Sequence, residues 1–110
     1  MTTFDDRERS FEKKFALDEE LKFRARARRD RLLAEWAAAR MGLKGAEAAD
    51  YVKAVRHADL ALKGDLDGVL RKIGDDLAAK GIAVSEAELR TASREFLAKA
   101  VAQIETERKS

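Results

Sequence analysis

Residues 64–104 read GDLDGVLRKIGDDLAAKGIAVSEAELRTASREFLAKAVAQI, and they hold two helices together with their start and stop signals. Asp65 can cap the first, whose Leu66, Val69, Leu70, Ile73 and Leu77 recur at steps of three and four, with Gly81 just beyond its last lysine, Lys80. Gly68 and Gly74 weaken that helix by roughly 1 kcal/mol each relative to alanine, so packing has to hold it. The second start is a capping box, Ser85-Glu86-Ala87-Glu88, across which Val84 can staple onto Leu89. Leu89, Ala92, Phe96, Ala100 and Ile104 then supply one buried face.

The same grammar extends towards the N-terminus. A helix starting near Gly45 carries Ala48, Tyr51, Val55, Ala58 and Leu62 on one side and stops at Gly64. Before it, no glycine or proline interrupts Thr3 to Met41, where Phe4, Phe11, Phe15, Leu21, Ala25, Leu32 and Trp36 fall within one helical face. Gly42 ends this stretch after a last turn that contains Arg40. Short connections favour antiparallel neighbours, so the expected fold is all-α: a four-helix bundle with Trp36, Tyr51, Ile73 and Phe96 in its core and an extended N-terminal segment. Composition agrees. The 110 residues are 45% hydrophobic and 40% charged, with no proline and six glycines, a balance that favours long amphipathic helices and fits a single domain.

Several classes of function recede on the same grounds. Cysteine is absent, which removes disulfides and thiolate metal sites and is compatible with a reducing cytoplasm. No apolar run approaches the roughly 20 residues that span a bilayer, so direct membrane insertion is not expected. His57 is the single histidine, and its neighbours one helical turn away, Lys53 and Ala61, provide neither a second ligand nor an orienting carboxylate. Asp65-Leu66-Asp67-Gly68 opens like a calcium loop but lacks the later ligands, and the glycines punctuate helices instead of forming a phosphate loop. No enzyme, metal site or cofactor is expected.

Two features remain. The run from Lys22 to Arg31 places Arg24, Arg28 and Arg31 on one flank, which could contact phosphate, including weakly bound ATP or ADP, or an acidic protein surface. The plainer reading is a solvated face paired with its own carboxylates, such as Glu20 to Arg24. Nucleic acid is not an expected partner: net charge is only +2, and Phe23 is the sole aromatic in the run. The second feature is a surplus of length. From about Leu17 to Met41 the first helix already matches the others, which leaves residues 1–16 beyond a bundle of residues 17–110. Phe4, Phe11 and Phe15 share one face there, surrounded by Asp5, Arg7, Glu8, Arg9, Glu12, Lys13 and Lys14. Such a stripe could fold back on the bundle, fill a dimer seam or enter a groove on a partner.

The phrases FDDRE (Phe4–Glu8), FEKKFALDEELKF (Phe11–Phe23), ARRDRLLAEWAA (Ala27–Ala38) and GDLDGVLRKI (Gly64–Ile73), in this order and spacing, resemble the zeta subunit of the alpha-proteobacterial F-type ATP synthase. The likeness covers nearly the whole chain. Departures fall at Asp30 and Glu35, where the family is expected to carry asparagine and an apolar residue, and at Gly68, which lengthens the turn. They bear on local surface and loop detail. The resemblance implies a cytoplasmic inhibitor, associated with the synthase at the inner face of the plasma membrane. Its N-terminal segment would enter the interface between catalytic and non-catalytic subunits of the catalytic head, near the central rotor subunit. ATP hydrolysis would be blocked and synthesis left largely free. The positions it marks as inhibitory are Phe4, Asp5, Arg7, Glu8, Phe11, Glu12, Lys14 and Phe15. The alternative is a regulatory helical bundle that binds nucleotide or phosphate through Arg24, Arg28 and Arg31.

Overall fold

Residues 19–63 and 65–109 are described by a computed structural model, and within them the chain forms four helices and no strand. These are α1 (Glu19–Arg40), α2 (Ala46–Ala61), α3 (Leu66–Ala79) and α4 (Glu86–Lys109). The segment 1–16, and with it every residue assigned to inhibition, lies outside the described residues, as does Gly64.

The punctuation read from sequence is largely the punctuation used. Gly42 takes φ +77°, the Leu43 N–H donates to the Ala38 carbonyl and the Gly42 N–H to that of Ala39, so α1 ends in a Schellman turn. Gly81 repeats the device after α3, at φ +76°, with the Ile82 N–H on the Leu77 carbonyl. Asp65 Oδ1 accepts the Asp67 N–H at 3.2 Å, and Ser85 Oγ accepts the Glu88 N–H at 3.1 Å, which fixes the starts of α3 and α4. Val84 packs against the core that contains Leu89, as the staple requires.

The end of α2 differs. Leu62 is its C-cap, and Lys63 takes the left-handed conformation at φ 56°. A side chain with a Cβ is strained there, so Lys63→Gly is expected to raise stability by about 0.5–1 kcal/mol, read as a higher denaturant midpoint at unchanged slope.

The four helices make an uneven bundle. At 22 and 24 residues, α1 and α4 are about 33 and 36 Å long, whereas α2 and α3, at 16 and 14 residues, reach only about 24 and 21 Å. Two core clusters follow from this. The larger draws on all four helices, with Leu33, Ala34, Ala37, Val55, Val69, Leu70, Ile73, Leu77 and Leu89 buried. The smaller joins α1 and α4 alone, through Leu21, Ala25, Val101 and Ile104. Of the expected core residues, Ile73 is fully buried, while Trp36, Tyr51 and Phe96 are half-buried around the larger cluster. Each polar aromatic has a reason to stay at the rim: Arg40 stacks over the Trp36 ring at 5.0 Å, and the Tyr51 hydroxyl donates to Asp76 Oδ2 at 2.9 Å.

The glycines inside α3 mark close approach. A Cβ on Gly68 would meet Leu62 Cδ1 at 2.8 Å, and one on Gly74 would meet Leu89 Cδ1 at 3.2 Å. Both positions let a neighbouring leucine lie directly on the helix backbone, which offsets the propensity lost at these sites. No helix among the described residues is long and apolar enough to cross a membrane.

Candidate functional site

On the basic flank of α1 the three arginines do come together. Arg28 donates from Nη1 and Nη2 to the two carboxylate oxygens of Glu107, at 2.7 and 3.0 Å, in a fork that ties α1 to the last turns of α4. This bonding, with the nearby charges of Arg28, Arg24 and Arg31, holds the Glu107 carboxyl below its ordinary range. Arg31 also pairs with Glu35 at 3.7 Å, and Arg24 is exposed. The flank therefore finds a principal carboxylate on α4 as well as on its own helix. An incoming phosphate would compete with Glu107 for Arg28. Beside this flank Phe23 is 71% exposed, a large apolar side chain turned to solvent.

A second polar arrangement lies between α3 and the start of α4, in a cleft of about 310 Å³ lined by Asp67, Arg71, Gly74, Glu86 and Arg90 among others. Arg90 is held there by Asp67 at 2.7 Å and Glu86 at 3.0 Å, so its charge is already answered from both helices. On the α2–α3 side, Asp76 accepts from both Tyr51 and Lys72, the latter at 3.2 Å. Burial and this carboxylate push the Tyr51 hydroxyl well above the ordinary range of a tyrosine. These arrangements stitch helices together; His57 lies exposed on α2.

The interior holds one arrangement that the sequence reading did not single out. Asp30, a departure from the family pattern expected to bear on surface and loop detail only, is 2% exposed, beside Arg29 at 7%. Glu35, the other departure, does lie on the surface. Asp30 Oδ1 accepts from Arg29 Nε at 3.1 Å and Nη2 at 3.0 Å. Burial pushes the Asp30 carboxyl up to about 6; Arg29 pulls against this, and Asp59 adds to it. A signal for its burial was present in the sequence. Asp30, Leu33, Ala34 and Ala37 stand at i, i+3, i+4 and i+7, so the aspartate occupies a place in the core stripe of α1.

The described residues of the bundle thus present a basic flank, an exposed Phe23 and a set of helix-joining polar contacts, and segment 1–16, charged and with three phenylalanines, precedes them in the sequence. No curated protein matches the chain. A family model described as ATPase inhibitor subunit zeta does match, over residues 1–103, taking in the N-terminal segment, all of α1 to α3 and most of α4. With that span matched, the chain belongs to the ATPase inhibitor subunit zeta family.

Proposed function

We propose that this protein inhibits the catalytic head of an F-type ATP synthase, and that residues 1–16 do the inhibiting. Its role is regulatory and not catalytic. The observation that carries this reading is family membership over residues 1–103, a span that includes the charged segment with its three phenylalanines. On helical spacing Phe4, Phe11 and Phe15 form a single apolar edge, the pattern by which a helix enters a groove. The groove is the interface between a catalytic and a non-catalytic subunit, next to the central rotor subunit. Phe11 and Phe15 are its buried anchors. Phe4 extends the apolar edge, while Asp5, Arg7, Glu8, Glu12 and Lys14 fix register and orientation through charge. A catalytic interface held shut cannot reopen to finish a hydrolytic cycle. The bundle acts as the handle, raising the effective concentration of the segment at its groove. The work takes place on the cytoplasmic side, at the synthase.

Phe11→Ala combined with Phe15→Ala tests the anchors. Each is an interface side chain worth about 2 kcal/mol or more, so losing both should raise the concentration giving half-inhibition of ATP hydrolysis on the order of 1,000-fold or more. Unchanged inhibition would remove both residues from the interface. The reading in which Arg24, Arg28 and Arg31 hold a nucleotide or phosphate has weaker support, because Arg28 is already forked onto Glu107.

A further inference from the structure

Phe23 breaks the pattern of the helix on which it stands. Leu21 and Ala25 of α1 are buried against Val101 and Ile104 of α4. Phe23, two residues from each of them, is about 200° round the helix and faces away from α4. Its own stripe runs on through Asp30, Ala34 and Ala37, at i+7, i+11 and i+14, and all three are buried, whereas Phe23 is open to solvent. The cause is a difference in length. Ala34 and Ala37 share their core cluster with Val55 of α2, but α2 is about 9 Å shorter than α1, so roughly the first six residues of α1 run past it. Trp36, Tyr51 and Phe96 all reach that cluster, which leaves Phe23 as the one aromatic among the described residues outside both cores. Arg24 and Arg26 beside it are exposed and enter no ion pair among the described residues, unlike Arg28 and Arg31.

We propose that Phe23, with Arg24 and Arg26, is a second docking contact, which takes an apolar recess bordered by carboxylates on the same protein that receives residues 1–16; it rests on the inhibitor reading and adds a site to it. Chain length selects the occupant. Phe23 is eight residues past Phe15, so no conformation separates the two by more than about 28 Å. With Phe15 seated in a groove, Phe23 is held within reach of the rim of that groove, where even a small contact gains from high effective concentration. Other occupants fit less well. An overhang of about 9 Å on one helix offers far less than the roughly 800 Å² per partner of a stable pair of copies. The chain's own N-terminal segment would have to turn back within Ala16-Leu17-Asp18, which holds neither glycine nor proline. The contact adds affinity without blocking catalysis: the arginines speed encounter with carboxylates, and the ring slows departure.

Binding of the full chain to the isolated catalytic head, followed in real time, tests this. Phe23→Ala should raise the dissociation constant on the order of tenfold, chiefly through faster release. Its denaturant midpoint should stay unchanged, because the ring buries little within the bundle. Arg24→Glu combined with Arg26→Glu should slow association, and more so at low salt than at high. Leu60→Ala removes a side chain of similar exposure, 72%, from α2 and should change nothing. A photoreactive benzoyl-phenylalanine at position 23 should crosslink the chain to a subunit of the head. If the wild type binds and inhibits while Phe23→Ala binds as tightly, the second contact falls and the role of residues 1–16 stands. If the wild type neither binds nor inhibits, both fall. Crosslinks formed within the chain or between two copies, with the head present, would overturn the proposal in favour of that occupant.

Discussion

Leu33→Ala is expected to lower the free energy of unfolding by about 3 kcal/mol or more, within the 2–5 kcal/mol seen for buried leucines. Leu33 is 0% exposed and sits in the cluster to which all four helices contribute. Its neighbours on α1, Ala34 and Ala37, are also fully buried and too small to fill the space it would vacate. Because α1 packs against each of the other three helices, no single helix can shift inward to close the cavity. A domain of this size has roughly 5–15 kcal/mol to lose, so the variant should unfold at a clearly lower denaturant concentration. Leu32, next to it in sequence but half-buried, provides the control. Leu32→Ala should cost markedly less, and equal losses at the two positions would mean that the core face of α1 has been misplaced.

Removing residues 1–15 should have the largest functional effect of any change to this chain. The deletion takes away Phe4, Phe11 and Phe15 together with the charges around them. It leaves Glu19–Arg40 and the three helices that pack on it in place. The deletion thus separates the proposed effector from the proposed handle. If each anchor contributes about 2 kcal/mol or more, inhibition should weaken by several orders of magnitude, to a level indistinguishable from none at ordinary concentrations. The truncated protein should keep its helical content.

The physics of helix ends made most of the fold readable. Capping signals act within a few residues, so Asp65, Ser85, Gly42 and Gly81 could be assigned their roles before any tertiary contact was known, and each serves as expected. The core face of α1 was harder. A stripe through Leu32 and Trp36 suits a helix with one covered side, but α1 touches three helices, and its buried face widens to Leu33, Ala34, Ala37 and Ala38. Small alanines carry little hydrophobic signal, and their burial was decided by neighbours far away in sequence. The terminus of α2 shows a similar limit, since Lys63 takes the positive φ one residue before the glycine that local rules favour.

Polar residues divided in the same way. That Arg24, Arg28 and Arg31 share a flank follows from helical spacing. The fork from Arg28 to Glu107 spans 79 positions and depends on α4 running back along α1. Asp30 is buried although aspartate is usually exposed, and its place in the stripe with Leu33 and Ala37 is consistent with that burial. A buried charge breaks the binary pattern of a helix. Positions where that pattern fails are where a second role should be sought.

Inhibition by the N-terminal segment can be settled with the isolated catalytic head and two proteins, the full chain and a chain lacking residues 1–15. ATP hydrolysis is followed as each is titrated in, with circular dichroism verifying that the shortened chain is folded. The full chain should suppress hydrolysis while the folded, shortened chain leaves it at the uninhibited rate. Equal suppression by both would contradict the assignment of inhibition to residues 1–16 and would move it onto the four-helix bundle.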